Sequence, residues 1–380
     1  MDQPVRFPRS GKVSKNAFAV ASLTNCQSNP DGTLHDNELH WLVRRAKGGY
    51  GIVNTCCVHV QANGKGWEGE LGCFSDDQLP GYERLVKAIK EVDADTLIIP
   101  QVFHAGMRAD EHLIEGMPRS AVDTEYHHRA GVRKCSGLTE EEVETLIEDF
   151  IKACKRCQDA GCDGVELHGA HGYILTQFLC PSLNQRTDQW GGSESLENRA
   201  RIYRRIAQGA RQACGKDFII GMRLSPEPGY EKAGWNMDPD ENVQVAKWLA
   251  EDGIDYISVS LFGHSPSHIT PKHKESKGEA AKPLVQVFRE ELPKDVVVMC
   301  CGGIKSAADV QTLLDMGVDM AVTGQTAIGT PDFPQKCLAD PNFTVTDLPP
   351  WTPEFLASVD VSPPFVDFLD AAFRWVKKEE

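Results

Sequence analysis

Three protic side chains leave the end of one apolar segment almost together. His168, His171 and Tyr173 follow the run Val165-Glu166-Leu167. An imidazole gives or takes a proton near neutral pH, and a phenol donates one at a higher intrinsic pKa. Gly169 and Gly172 stand between them, and glycine lets backbone come close to a ligand. The set suits proton transfer to a bound molecule. The same residues also fit a metal-dependent lyase, with Glu166, His168 and His171 as ligands, or a pair of core histidines.

The elements that position this set recur with a regular rhythm. Apolar runs at Ala17–Leu23, Gly51–Val60, Thr96–Phe103, Cys162–His168, Phe218–Leu224, Ile254–Leu261, Val296–Cys301 and Met320–Thr323 predict eight strands. Helical spacing lies between them, at Asn37–Ala46, Tyr82–Val92, Thr139–Asp159, Leu196–Cys214, Asp238–Glu251, Lys282–Glu291 and Ser306–Met316, with a short helix near Pro334–Leu338. Thr139-Glu140-Glu141-Glu142 has the form of a capping box, and Asp238-Pro239 supplies an N-cap followed by proline at the first helical position. Continuously apolar strands alternating with helices predict a parallel sheet covered on both faces. Eight such units in roughly 330 residues fit an α/β fold of the (β/α)8, or TIM, barrel type. No Gly-x-Gly-x-x-Gly follows an early strand, so a doubly wound open sheet is disfavoured. Residues 1–345 are expected to form the barrel, and 346–380 a tail. The tail is rich in proline and aromatic residues, and fits either packing over the barrel bottom or a contact with a second subunit, which leaves a homo-oligomer open.

In such a barrel the active site lies at the C-terminal strand ends. Those ends offer Ser22, Leu23 and Thr24, then Asn54 and Thr55, then Gln101 and His104. The fourth offers His168, His171 and Tyr173, the fifth Arg223, the seventh Gly302-Gly303 and the eighth Gly324-Gln325. Glycines at the last two strand ends let backbone N–H groups face a phosphate. Gln101 can both donate and accept at a ring edge. Arg223 can hold a ring position that becomes negative, or serve in a structural ion pair. Together these suggest a planar heterocycle carrying a phosphate. Two long connections, His104–Leu138 and Phe262–Ala281, have the length of lids or binding loops. The second holds His264, His268, Lys272, His273, Lys274 and Lys277. It suits a phosphorylated cofactor or is simply a solvated surface.

Bulk properties narrow the partners. A net charge of −15 repels a phosphate backbone, so nucleic acid is not the expected partner. No apolar run spans a membrane or has the layout of a signal peptide. The 13 cysteines form no framework, and the lone Cys154/Cys157 pair lies in a helical run. A reduced, cytoplasmic protein without an iron–sulfur cluster is expected.

Longer motifs sharpen this. His168-Gly169-Ala170-His171-Gly172-Tyr173, then Gln177-Phe178-Leu179, Asn184-Gln185-Arg186-Thr187-Asp188, Gly191-Gly192 and Glu197-Asn198-Arg199 recur in order, with Gln101, His104-Ala105-Gly106 and Arg223. From about Ala17 to Pro341 the chain resembles the old yellow enzyme family of FMN-dependent ene-reductases. The resemblance implies FMN as cofactor and NADPH or NADH as reductant. It implies that His168 and His171 bind the substrate's carbonyl oxygen, that His168 also touches the flavin, and that Tyr173 is the proton donor. By the same resemblance Thr24 tunes the flavin, and Ser22 and Leu23 flank it. Thr55 offers backbone to the ring, Gln101 its side chain to the pyrimidine edge, and Arg223 its guanidinium to the N1/O2 side. Gly302, Gly303, Gly324 and Gln325 hold the phosphate. The implied substrate is a small enone or enal; an amine demethylase is the alternative within the family. The chain departs from the family pattern in Ala21-Ser22-Leu23-Thr24, in Met107 ahead of Arg108, and in Gln325 where an arginine is usual.

Overall fold

The computed structural model describes residues 1–128, 131–227, 235 and 237–377. Eight parallel strands close into a barrel: β1 (Phe18–Val20), β2 (Ile52–His59), β3 (Leu97–Phe103), β4 (Gly164–Gly169), β5 (Ile219–Leu224), β6 (Tyr256–Ser260), β7 (Val297–Cys301) and β8 (Met320–Thr323). Each pairs with its chain neighbours, and β8 pairs back onto β1. The strands are buried throughout apart from half-buried Cys301, which is why the sequence shows unbroken apolar runs rather than alternation. The runs overshoot most of the ladders by a residue or more. Val20 ends β1, for example, yet Ala21 N still donates to Thr323 O at 2.9 Å.

Eight outer helices cover the barrel: α1 (Asp36–Lys47), α2 (Leu79–Val92), α3 (Glu140–Asp159), α4 (Leu196–Cys214), α5 (Pro239–Glu251), α6 (Leu284–Glu291), α7 (Ala307–Asp315) and α8 (Phe333–Ala339). Local chemistry sets their starts. Thr139 Oγ1 accepts from Glu142 N at 3.2 Å, while Glu142 Oε2 accepts from Thr139 N at 2.8 Å, the reciprocal cap the sequence predicts. Asp238 caps α5 and Pro239 opens it. Cys154 and Cys157 both lie in the buried face of α3, where Cys157 Sγ sits 3.8 Å from Cys73 Sγ.

Both long connections carry structure that the sequence pattern conceals. The first holds a three-stranded sheet of Arg119–Ser120, Thr124–His128 and Gly131–Gly137. Its strands are polar and half-exposed, so no apolar alternation marks them. The second holds a short helix, Pro271–Lys277, capped by Thr270.

An N-terminal hairpin, Val5–Arg6 against Val13–Ser14, closes the barrel's lower end, with Phe7 edge-on to Tyr256 at 6.0 Å. The tail does not sit there, contrary to one reading of its composition. Phe365 packs edge-on against Trp41 of α1 at 5.9 Å, and Ser362 Oγ donates to Gln27 Oε1 at 2.6 Å. The helix Pro363–Phe373 thereby reaches the upper mouth, where the catalytic residues are expected. The aromatic residues face a wall that only the closed fold creates.

Candidate active site

β3, β4 and β5 stack polar residues in layers inside the barrel. Gln101 and Glu166 are register partners, as are His168 and Arg223. Glu166 accepts from Gln101 Nε2 at 2.6 Å and from the Tyr256 hydroxyl at 3.0 Å. Burial raises its pKa, and the Arg223 charge opposes that rise. Glu166 is thus engaged one layer beneath His168, and its bonds fix the Gln101 amide. Gln101 keeps one N–H and its carbonyl oxygen for another partner.

Arg223 is buried, which works against its charge; Cys301 and Glu166 nevertheless hold its pKa above the usual arginine value. Its Nη2 donates to Ser260 Oγ at 3.5 Å, and Ser260 Oγ lies 2.8 Å from His171 Nε2. His168 is buried and its pKa is pushed far down, first by burial and then by His171, Arg223 and Arg108. His171 is shifted the same way by burial and the two guanidinium charges. Both imidazoles are therefore neutral around pH 7, each able to donate from one nitrogen and accept at the other.

His168 and His171 stand edge to face at 5.1 Å, and His168 and Tyr173 at 5.0 Å. Tyr173 is buried edge-on against Phe103 at 5.0 Å. His171 has φ +59°, the left-handed region that a β-carbon disfavours. The Arg108 guanidinium holds it there: Nη1 donates to His171 O at 2.5 Å, and the same group lies 4.7 Å from the Tyr173 ring centre. Gln177 braces the turn from behind. Its Nε2 donates to Gly172 O at 3.0 Å, and its Oε1 accepts from Met107 N at 3.3 Å. A β-carbon on Gly106 would lie 2.5 Å from the Gln177 amide, so that close approach requires glycine.

These groups open into a cavity of about 1460 Å³ that Thr24, His171 and Tyr173 help to line. Trp67, Tyr126, Phe262, Phe368 and Phe373 supply aromatic wall. A register shift in β2 between Asn54 and Cys57 takes Thr55 out of the ladder with β3. Its backbone is thereby directed away from sheet pairing, while its hydroxyl bonds Cys56 O at 2.6 Å. At β7 and β8, Gly303 has φ +58°, and a β-carbon on Gly302 would lie 2.7 Å from His264 O. A β-carbon on Gly324 would meet only Leu23 and Ala21, at 3.4 and 3.9 Å. Gln325 opens the short helix Gln325–Gly329 beside it.

This mouth fits a flavin. Ser22 Oγ, His168 Nδ1, Arg223 Nε and Ser258 Oγ are buried there without a hydrogen-bond partner. Buried polar atoms left so cost roughly 1–3 kcal/mol each, and a polar heterocycle would satisfy them. Residues 4–340 match the family model described as the NADH:flavin oxidoreductase / NADH oxidase family. The chain belongs to that family. It is an oxidoreductase working with FMN and NAD(P)H, with the barrel of the old yellow enzymes.

Over 350 residues it is 31% identical to a Bacillus subtilis (strain 168) protein named "Probable NADH-dependent flavin oxidoreductase YqiG", covering 90% of this chain and 86% of that one. It is 32% identical over 344 residues to the NADH:fumarate oxidoreductase of Klebsiella pneumoniae (strain 342), covering 89% of this chain but only 36% of that longer protein. Among solved structures, an old yellow enzyme homologue from Zymomonas mobilis superposes with a TM-score of 0.77 at 22% identity, covering 97% of this chain and 98% of that one.

The structure brings His168, His171, Tyr173, Gln101 and Arg223 together as sequence reasoning expects, with Thr24 on the cavity wall. Sequence reasoning misses Ser260, which ends β6 at the very level where a site is sought. It passes over Arg108, visible only as a displaced motif residue, and the tail aromatics, which no local signal ties to the mouth. Much of the positive cluster after β6 is already paired: Lys272 with Asp238 and Asp240, and buried His273 with Asp240. That lessens its fitness for a nicotinamide phosphate.

Proposed function

We propose that the chain reduces the activated C=C bond of small α,β-unsaturated carbonyl compounds. The observation that carries this is the convergence of two neutral imidazoles and one phenol, with His171 and Tyr173 on the wall of the aromatic cavity and His168 packed against both. FMN, when bound, supplies the hydride chemistry, with NADPH or NADH as the source and the substrate's β-carbon as the destination. Ser22, Leu23, Thr24, Thr55, Gln101, His168 and Arg223 would hold the ring. Gly302, Gly303, Gly324 and Gln325 would hold the phosphate.

The protein's own part is electrostatic and protonic. His168 and His171 donate to the substrate's carbonyl oxygen, where negative charge develops as the β-carbon is attacked. Neutral imidazoles do this without surrendering a proton. Tyr173 then gives its hydroxyl proton to the α-carbon as general acid. Arg108 is a positioning residue: it fixes the His171 backbone and lies over the Tyr173 ring. The aromatic walls limit water at the reacting carbons.

Among the described residues no helix is long and apolar enough to cross a membrane. Cytoplasmic residence belongs to the proposal, supported by 13 free thiols. Self-association through the tail belongs to it as well, supported by half-exposed Phe373.

Tyr173→Phe tests the assignment, because it keeps the ring and removes only the hydroxyl. Stopped-flow should show flavin reduction by NADPH near the wild-type rate and reoxidation by an enone slowed about 10²–10⁴-fold. Enone turnover at the wild-type rate would mean the proton comes from elsewhere.

A further inference from the structure

The segment after β6 carries nitrogen ligands that the reaction does not use. The rings of His264 and His268 stack with centroids 3.9 Å apart and planes 11° from parallel. His268 Nε2 lies 2.6 Å from Glu227 Oε2. Glu227 belongs to the segment after β5, so this contact joins two separate connections at the barrel mouth. One ligand atom from each of Glu227, His264 and His268 lies within 4.8 Å of the other two. Among the described residues no other three His, Cys, Asp or Glu side chains are so disposed. His264 is exposed and the other two are half-buried, so an ion from solvent can reach them.

The backbone holds this group in place. His264 N donates to Leu261 O at 2.9 Å, His268 N to Ser265 O at 3.0 Å, and Leu284 N to His268 O at 2.9 Å. Gly302 and Gly303 of the next strand end press against the His264 carbonyl, where a β-carbon would come within 2.7 and 3.0 Å. Lys272 and His273, in the same segment, pair with Asp238 and Asp240 instead.

We propose that Glu227, His264 and His268 bind a divalent transition metal of the zinc class. Two imidazoles and one carboxylate form a ligand set that zinc accepts, with a fourth position left for water. Calcium and magnesium prefer oxygen ligands throughout, and this set offers them too few. With bonds of about 2.0–2.2 Å, tetrahedral ligand atoms stand roughly 3.3 Å apart. From the observed 2.6 Å, the Glu227–His268 separation opens by about 0.7 Å; the widest pair, at most 4.8 Å apart, closes by about 1.5 Å. Binding therefore turns the two stacked imidazoles so that one nitrogen of each faces the ion. The ion ties the β6 connection to the β5 connection. Phe262, two residues before His264, packs edge-on against His171 at 5.4 Å, so the ion also steadies one wall of the reaction site.

The test uses untagged, FMN-loaded protein, stripped with a chelator and dialysed to equilibrium against zinc chloride. Metal per chain is counted by mass spectrometry, beside His268→Gln and His264→Gln. Wild type should hold one zinc and melt at a higher temperature with it, since a ligand of the folded state alone stabilises that state. Each variant should lose at least the ~10-fold in affinity typical of weakened metal-ligand shells. His264 is exposed, so its replacement leaves the fold intact. Magnesium chloride should leave the melting temperature unchanged. No bound zinc overturns the proposal. So does zinc held equally well by both variants, which would assign the ion to half-buried thiols such as Cys26 or Cys301.

Discussion

Arg108→Met removes the group that joins the two arms of the site while keeping much of its bulk. The guanidinium donates a charged hydrogen bond to His171 O and lies over the Tyr173 ring. Hydrogen bonds to charged groups contribute about 1.5–3 kcal/mol; the lower end applies because Arg108 is only half-buried. A cation over an aromatic ring adds about 0.5–1 kcal/mol at such a site. Against this stands the left-handed backbone of His171, which costs roughly 1–2 kcal/mol and which the bond holds in place. Without Arg108 that backbone relaxes and carries the imidazole off the carbonyl position. Losing about 2–3 kcal/mol of positioning, only part of it expressed in the transition state, should lower kcat/KM for an enone about 10–100-fold, at 1.36 kcal/mol per factor of ten. The assay is steady-state turnover with cyclohexenone, beside FMN content read from the visible spectrum. FMN content should change little, because the guanidinium acts on His168 only through its charge, while Gln101 and Arg223 keep their places. Wild-type kcat/KM in a folded, flavin-loaded variant would refute the positioning role.

Other consequences are equally open to measurement. His59, His104, His168 and His171 are all held below the ordinary imidazole pKa by burial first, His59 and His104 at about 3. The unfolded chain therefore binds more protons: stability should be full above the unfolded pKa of about 6.5 and fall as pH drops toward 3, by up to ~1.4 kcal/mol per pH unit for each imidazole. Melting temperatures across that range check this, His104→Asn should flatten the slope, and a rise on acidification would contradict it. Gln325→Arg should tighten FMN, since charged hydrogen bonds to phosphate are roughly twice as strong as neutral ones; an unchanged dissociation constant would mean the side chain does not face the phosphate. Gln177→Leu removes the brace between Met107 N and Gly172 O, and should lower both melting temperature and enone turnover. Unaltered turnover would show that the turn holds itself.

The barrel is legible in the sequence because its strands are buried on both faces, so each reads as an unbroken apolar run. The site residues on those strands are legible for the same reason: His168, Gln101 and Arg223 are polar residues set near the ends of largely apolar runs. Motif residues without chemistry turn out to be scaffold. Asn184 Nδ2 bonds Phe178 O and Trp190 O at 2.7 and 2.9 Å, and Arg199 bonds Leu179 O at 2.9 Å and both oxygens of Glu241 at 2.8 Å. They knot the segment after β4 beneath Tyr173. What stayed hidden depends on closure. The polar hairpin beginning at Thr124 has no apolar period to betray it. Phe368 and Phe373 reach the cavity from a tail remote in sequence. The partners of Lys272 lie on α5 and its cap, where spacing along the chain reveals nothing.

The central claim is that this cavity passes a hydride and a proton to an activated alkene. An anaerobic titration of the purified protein's visible spectrum tests it most directly. NADPH or NADH should bleach the flavin bands, and added cyclohexenone should restore them, one equivalent for each flavin. Bands that stay bleached with cyclohexenone, yet return when oxygen is admitted, would show a flavin that reacts and a cavity that does not reduce enones.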